Sequence, residues 1–141
     1  MFNWFKKSTE PKKPKTLGQL GEEFAQAEYK KSGYKVIAAN FFNPKGLRRG
    51  EIDFIAKNKK NIVFVEVKTR AIGEGKFGSA AEAVNYFKQQ KLLKAVKFFL
   101  LQNQQYQSLQ PQIDVCVVEY GEFDKMFRCA KIISNAVEDW N

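Results

Sequence analysis

Two carboxylates and a lysine sit at a spacing that can do chemistry. Residues 50–57 read Gly-Glu-Ile-Asp-Phe-Ile-Ala-Lys, and residues 62–70 read Ile-Val-Phe-Val-Glu-Val-Lys-Thr-Arg. The polar break Asn58-Lys59-Lys60-Asn61 separates these two β-rich runs, the pattern of a β-hairpin. A turn centred between Lys59 and Lys60, without a bulge, sets Asp53 opposite Glu66 and Glu51 opposite Lys68. Alternation then gives one apolar face of Ile52, Phe54, Ala56, Val63, Val65 and Val67. The other face carries Glu51, Asp53, Ile55, Phe64, Glu66 and Lys68.

Opposed like charges in an antiparallel pair are destabilising at a Cβ separation of roughly 5 Å. At an effective dielectric of about 20 the repulsion is roughly 3 kcal/mol. A pair kept at that cost suits a hard divalent cation. Mg²⁺, or Mn²⁺ in its place, is typically held by one or two carboxylates plus phosphate oxygens. Lys68 lies two residues beyond Glu66, on the same face, where an ammonium can orient a nucleophile or stabilise charge on a phosphate.

Asp53 followed by Glu66-Val67-Lys68 resembles the PD-(D/E)XK signature of the restriction-endonuclease-like nucleases. Ile52 stands where the superfamily name has Pro. A longer ordered set resembles the bacterial YraN-like family of that superfamily. It comprises Leu17-Gly18-Gln19-Leu20-Gly21-Glu22, Gly33-Tyr34, Asn40-Phe41, Gly50-Glu51-Ile52-Asp53, Phe64 through Arg70, and Phe77-Gly78 through Lys88. This resemblance covers about residues 16 to 120. It implies an α/β (α+β) fold with an αβββαβ core, a mixed central sheet flanked by helices. It also implies a Mg²⁺-dependent endonuclease acting on DNA, branched or single-stranded forms included. Asp53 and Glu66 would bind the metal with the Val67 carbonyl, Lys68 would position or activate water, and Glu22 would join from the first helix, as in the similar archaeal Holliday-junction resolvases. Many nucleases of the superfamily act as dimers, so a homodimer is an expected partner state.

Composition agrees with a polyanion partner. The chain has 141 residues, with 24 basic and 15 acidic side chains and a net charge of +9. It contains no histidine, which excludes His-based acid–base catalysis, Ser-His-Asp triads and His metal sites. Two cysteines are too few for a structural zinc site. A turn between Glu122 and Phe123 would set Cys116 opposite Cys129; two unpaired residues in a reducing cytoplasm outweigh a disulfide. No apolar run reaches transmembrane length, and a cytoplasmic location is expected.

Residues 1–15 form a basic, aromatic arm expected to be flexible, and residues 16–141 one domain. The arm is a weaker candidate for membrane contact. Thr16 and Gln19 have capping-box spacing, and Leu17, Leu20, Phe24 and Ala27 mark the expected core face of a first helix ending at Gly33. A short strand follows from Tyr34 to Asn40. Arg48 and Arg49 in the loop before the hairpin, Arg70 at its end, Lys76 in a glycine-rich loop, and Lys88 and Lys91 on a second helix are candidate phosphate contacts. Ser79, with Glu82 at the box position, would cap that helix, which runs to about Leu101. Strands are expected over Gln112–Glu119 and Met126–Ile133. Two further readings are a nucleic-acid-binding module without activity and a peripheral adaptor recruited through the arm.

Overall fold

A capping box starts the first helix: the Gln19 N–H donates to Thr16 Oγ1 at 3.1 Å, and the Thr16 N–H donates to Gln19 Oε1 at 2.9 Å. Helix α1 runs Leu17–Lys31, and Gly33, at φ +92°, turns the chain out of it. The computed structural model describes residues 13–41, 52–72 and 86–135, and of residues 86–88 and 130 the backbone. The remaining elements are β1 (Lys35–Phe41), β2 (Ile52–Lys57), β3 (Asn61–Ala71), α2 (Tyr86–Gln102), β4 (Gln110–Tyr120) and β5 (Phe127–Ile133). A short 3₁₀ turn, Gln104–Tyr106, lies in the loop before β4.

Among the described residues the strands form one five-stranded sheet in the order β1-β2-β3-β4-β5. Neighbours are antiparallel except β3 and β4, which are parallel. A parallel pair needs a crossover, and α2 lies within it. The expected mixed sheet flanked by helices is therefore the fold. The hairpin register is also as expected: Phe54 pairs with Val65, Ile55 with Phe64 and Ala56 with Val63.

Both faces of the sheet are core. Under α1, Phe54, Ala56, Val63, Val65 and Val67 pack with Ala25, Tyr29, Cys116 and Val118. Under α2, Ile52, Ile55, Ile62 and Phe64 pack with Leu92, Val96, Phe99, Ile113 and Val115. The hairpin face that carries Ile55, Phe64 and the charged residues is thus apolar core along most of its length. Charge is confined to the end near Glu66, as a central strand covered on both sides requires. Ile52, expected beside Phe54, belongs to the α2 side.

The buried stripe of α1 also differs from expectation. It consists of Gly21, Ala25 and Tyr29 at i, i+4, i+8, while Leu17 and Leu20 are exposed. A Cβ at Gly21 would overlap the Thr69 hydroxyl, so helix and strand backbones approach there as closely as glycine allows. That approach turns small residues, rather than leucines, toward the sheet. Cys116 pairs with Ile132, and Cys129 pairs with Val118. A register shift between Val117 and Val118 removes the expected opposition, and both thiols are free. Among the described residues no helix is long and apolar enough to cross a membrane.

Candidate active site

The hairpin ladder stops at the first carboxylate. The Asn58 N–H donates to the Asn61 carbonyl, and hydrogen-bonded pairs alternate along an antiparallel ladder. Continuing that alternation would give the Val67 N–H to the Ile52 carbonyl. It goes instead to Asp53 Oδ2 at 2.6 Å. The side chain replaces a backbone acceptor, and the last β2–β3 pair is Phe54 with Val65. Beyond that pair β3 continues against β4, to Ala71 beside Tyr120, with no other strand partner among the described residues. The carboxylate of Asp53 is held where the two strands part. This break also accounts for Ile52 leaving the face that Phe54 occupies.

Three carboxylates and one ammonium meet at the break. Glu66 is 7% exposed. The Lys68 ammonium lies 3.6 Å from Glu66 Oε1, the i, i+2 geometry of one strand face. Glu22, brought in by the Gly21–Thr69 contact, reaches Asp53 by a side-chain hydrogen bond. Burial pushes Asp53 up to about 8, and the neighbouring charges of Glu66 and Glu22 add to it. The Val67 N–H and the Lys68 charge pull the other way. Burial also raises Glu22; the hydrogen bond with Asp53 opposes this, and Glu66 adds to it. Burial and mutual repulsion thus favour the protonated form of the Asp53–Glu22 pair.

Asp53, Glu66, Lys68 and Glu22, named from the sequence, are therefore brought together. Val67 contributes its N–H to Asp53. Arg70 is on β3 two residues past Lys68, level with Glu119 of β4. Lys91 is exposed on α2, next to the buried Leu92 and Leu93. Arg48, Arg49, Glu51, Lys76, Ser79 and Glu82 lie outside the described residues, and of Lys88 only the backbone is described. Sequence reasoning missed Thr69 and the purpose of Gly21. The signal was present in the Gly-x-x-Gly-Glu run, whose second glycine allows the contact that delivers Glu22.

The family described as "Uncharacterised protein family UPF0102" matches residues 21–118, a span holding the whole cluster. The chain belongs to the UPF0102 family. A UPF0102 protein of Caldanaerobacter subterraneus subsp. tengcongensis is 40% identical over 104 residues, covering 74% of this chain and 80% of its own. One from Acinetobacter baumannii (strain AYE) is 36% identical over 106 residues, 75% of each chain. One from Clostridium botulinum (strain 657 / Type Ba4) is 35% identical over 124 residues, 88% of this chain and 95% of its own. The UPF0102 match spans α1 through β4, the elements that build the break and its carboxylates.

Proposed function

We propose that this UPF0102 protein is a divalent-metal-dependent endonuclease of the PD-(D/E)XK kind, hydrolysing phosphodiester bonds in DNA. The observation that carries the reading is the meeting of Glu22, Asp53 and Glu66 with Lys68 where β2 and β3 part. Among the described residues no group of three or more acids or thiols is arranged to cage a cation alone. Mg²⁺ does not need such a cage, since one or two carboxylates suffice when phosphate oxygens and water complete the shell. The oxygen-only donor set of Asp53 and Glu66 fits Mg²⁺ or Mn²⁺ and suits softer metals poorly.

Asp53 and Glu66 would hold the metal, with the Val67 carbonyl as a further donor. The bound ion would supply Lewis-acid stabilisation of the phosphate and lower the pKa of water. The chain's own groups do the rest. The Val67 N–H fixes the Asp53 carboxylate in one orientation. The Lys68 ammonium, beside Glu66, orients the attacking water and stabilises negative charge on the phosphate. Glu22 is hydrogen-bonded to Asp53, and a proton held by this pair would be released on metal binding.

Lys68→Met tests the reading. Cleavage should fall by about 10² or more, while DNA affinity measured in EDTA stays within about threefold, below roughly 1 kcal/mol. Equal losses in both would remove Lys68 from the chemistry. A binding module without cleavage is the second reading, favoured by the Lys68–Glu66 ion pair, which neutralises part of the cluster without any metal. It predicts salt-sensitive DNA binding that Mg²⁺ leaves unchanged.

A further inference from the structure

A second charged end lies at the other side of the hairpin. Lys35 and Lys57 are direct partners across β1 and β2. Opposed like charges are unfavourable there for the same reason as for two acids. Lys59 and Lys60 at the turn are exposed. Lys35, Lys57, Asn58, Lys59, Lys60 and Gly33 line one cavity of about 500 Å³. Among the described residues no carboxylate pairs with any of these four lysines.

The turn carrying them is held in place. Asn58 Oδ1 accepts from the Lys60 N–H at 2.9 Å and from the Asn61 N–H at 2.7 Å. The Lys60 carbonyl accepts from the Gln110 N–H at 2.8 Å, tying the turn to the start of β4. The lysines are thus presented on a fixed backbone, which lowers the ordering cost of binding.

We infer that this lysine-lined cavity is a second nucleic-acid contact, taking the sugar–phosphate backbone at a set distance from the carboxylate cluster. The distance part rests on the reading of that cluster as the cleavage site. Along β2, Asp53 to Lys59 spans roughly 20 Å at about 3.3 Å per residue. Along α1, Glu22 to Gly33 spans roughly 16 Å at about 1.5 Å per residue. At about 3.4 Å per nucleotide along one strand, the two ends stand about five or six nucleotides apart. An anionic strand gains from the lysine end without a metal, whereas the carboxylate end repels it until a cation binds. The lysine end therefore supplies affinity and register, and the acidic end supplies chemistry.

The test is binding in EDTA, where cleavage is off, with end-labelled DNA of graded length read by fluorescence anisotropy. The proteins are wild type, the triple variant Lys57→Gln/Lys59→Gln/Lys60→Gln, and the same three positions changed to Arg. Thermal melts confirm that each is folded. The Gln variant should lose about tenfold or more in affinity, with a log–log salt slope shallower by about 2 to 3, and the Arg variant should bind as wild type. The loss should persist on oligonucleotides shorter than about five nucleotides, because in EDTA the strand gains from the lysine end alone and reaching the acidic end adds nothing. Unchanged affinity in the Gln variant would overturn the inference, whether or not the protein cleaves DNA. So would a loss confined to oligonucleotides long enough to reach the acidic end. A Gln effect in a protein that never cleaves would keep the lysine contact and overturn the nuclease reading alone.

Discussion

Asp53 and Asp114 are both acids inside the sheet, and their surroundings differ in kind. Asp114, 2% exposed, accepts from the Tyr29 hydroxyl at 2.7 Å, from Gln112 Nε2 at 3.0 Å and from the Asn135 N–H at 3.0 Å. Burial drives the Tyr29 phenol well above its usual range, and the Asp114 charge adds to it, so Tyr29 stays a donor. Asp114 joins α1, β4 and the chain after β5, and three donors meet its charge. Asp53 receives one N–H and faces two more carboxylates. Asp114 is met by three donors, whereas burial and two neighbouring carboxylates disfavour the charge of Asp53. A carboxylate whose pKa is raised by burial and by specific charged neighbours is a candidate for function, whereas Asp114 holds elements together.

Opposite signs on substitution are the sharpest consequence. Asp114→Asn turns an acceptor into an amide that must face donors, and should cost about 3 kcal/mol in urea or thermal unfolding. Asp53→Asn removes a charge that the folded state disfavours, and should gain stability at pH 8 without divalent metal, by at most about 5 kcal/mol. The pH dependence follows from linkage. The folded state holds the Asp53 proton up to about 8, whereas the unfolded chain releases it near 3.8. Between these values the native state binds more protons, so this group's contribution to stability falls as pH rises. The gain from Asp53→Asn should therefore shrink on acidification and vanish below 3.8. A gain that is constant with pH would break the comparison.

Gly21→Ala sharpens it from the helix side. The added methyl meets Thr69 and should cost about 1 to 2 kcal/mol. It also moves Glu22 away from Asp53, so the pH slope assigned to the cluster should flatten. Restoring room with Thr69→Gly should recover part of both. The smallest effect is expected at the turn. Asn58→Ala loses two backbone-directed hydrogen bonds and should cost about 1 kcal/mol, leaving that pH slope unchanged.

How far the sequence could be read follows from separation along the chain. Asp53, Glu66 and Lys68 lie within one hairpin whose register is the expected one as far as Phe54 and Val65; beyond that pair Asp53 leaves the ladder and its carboxylate takes the Val67 N–H. The helix caps at Thr16 and Gly33 are local and were equally legible. The inward face of α1 was not, because the Gly21–Thr69 approach is a tertiary contact that overrides the leucine pattern. Ile52 was misplaced because the Asp53 carboxylate interrupts the ladder, and alternation cannot be carried across such a break. Cys116 and Cys129 were misaligned by a single register shift, which residue types do not announce. The candidate site was thus legible in its strand residues. The helix contribution through Glu22 depended on the resemblance and on the close approach that the structure supplies.

Cleavage tests the central claim most directly. Wild type and Asp53→Asn would be incubated with duplex, single-stranded, flapped and four-way-junction DNA, in Mg²⁺ or Mn²⁺ and in EDTA. The account predicts cutting of at least one substrate by wild type with metal, and none in EDTA or by the variant. Cutting that persists in Asp53→Asn, or no cutting of any substrate by folded protein that still binds DNA, would contradict it.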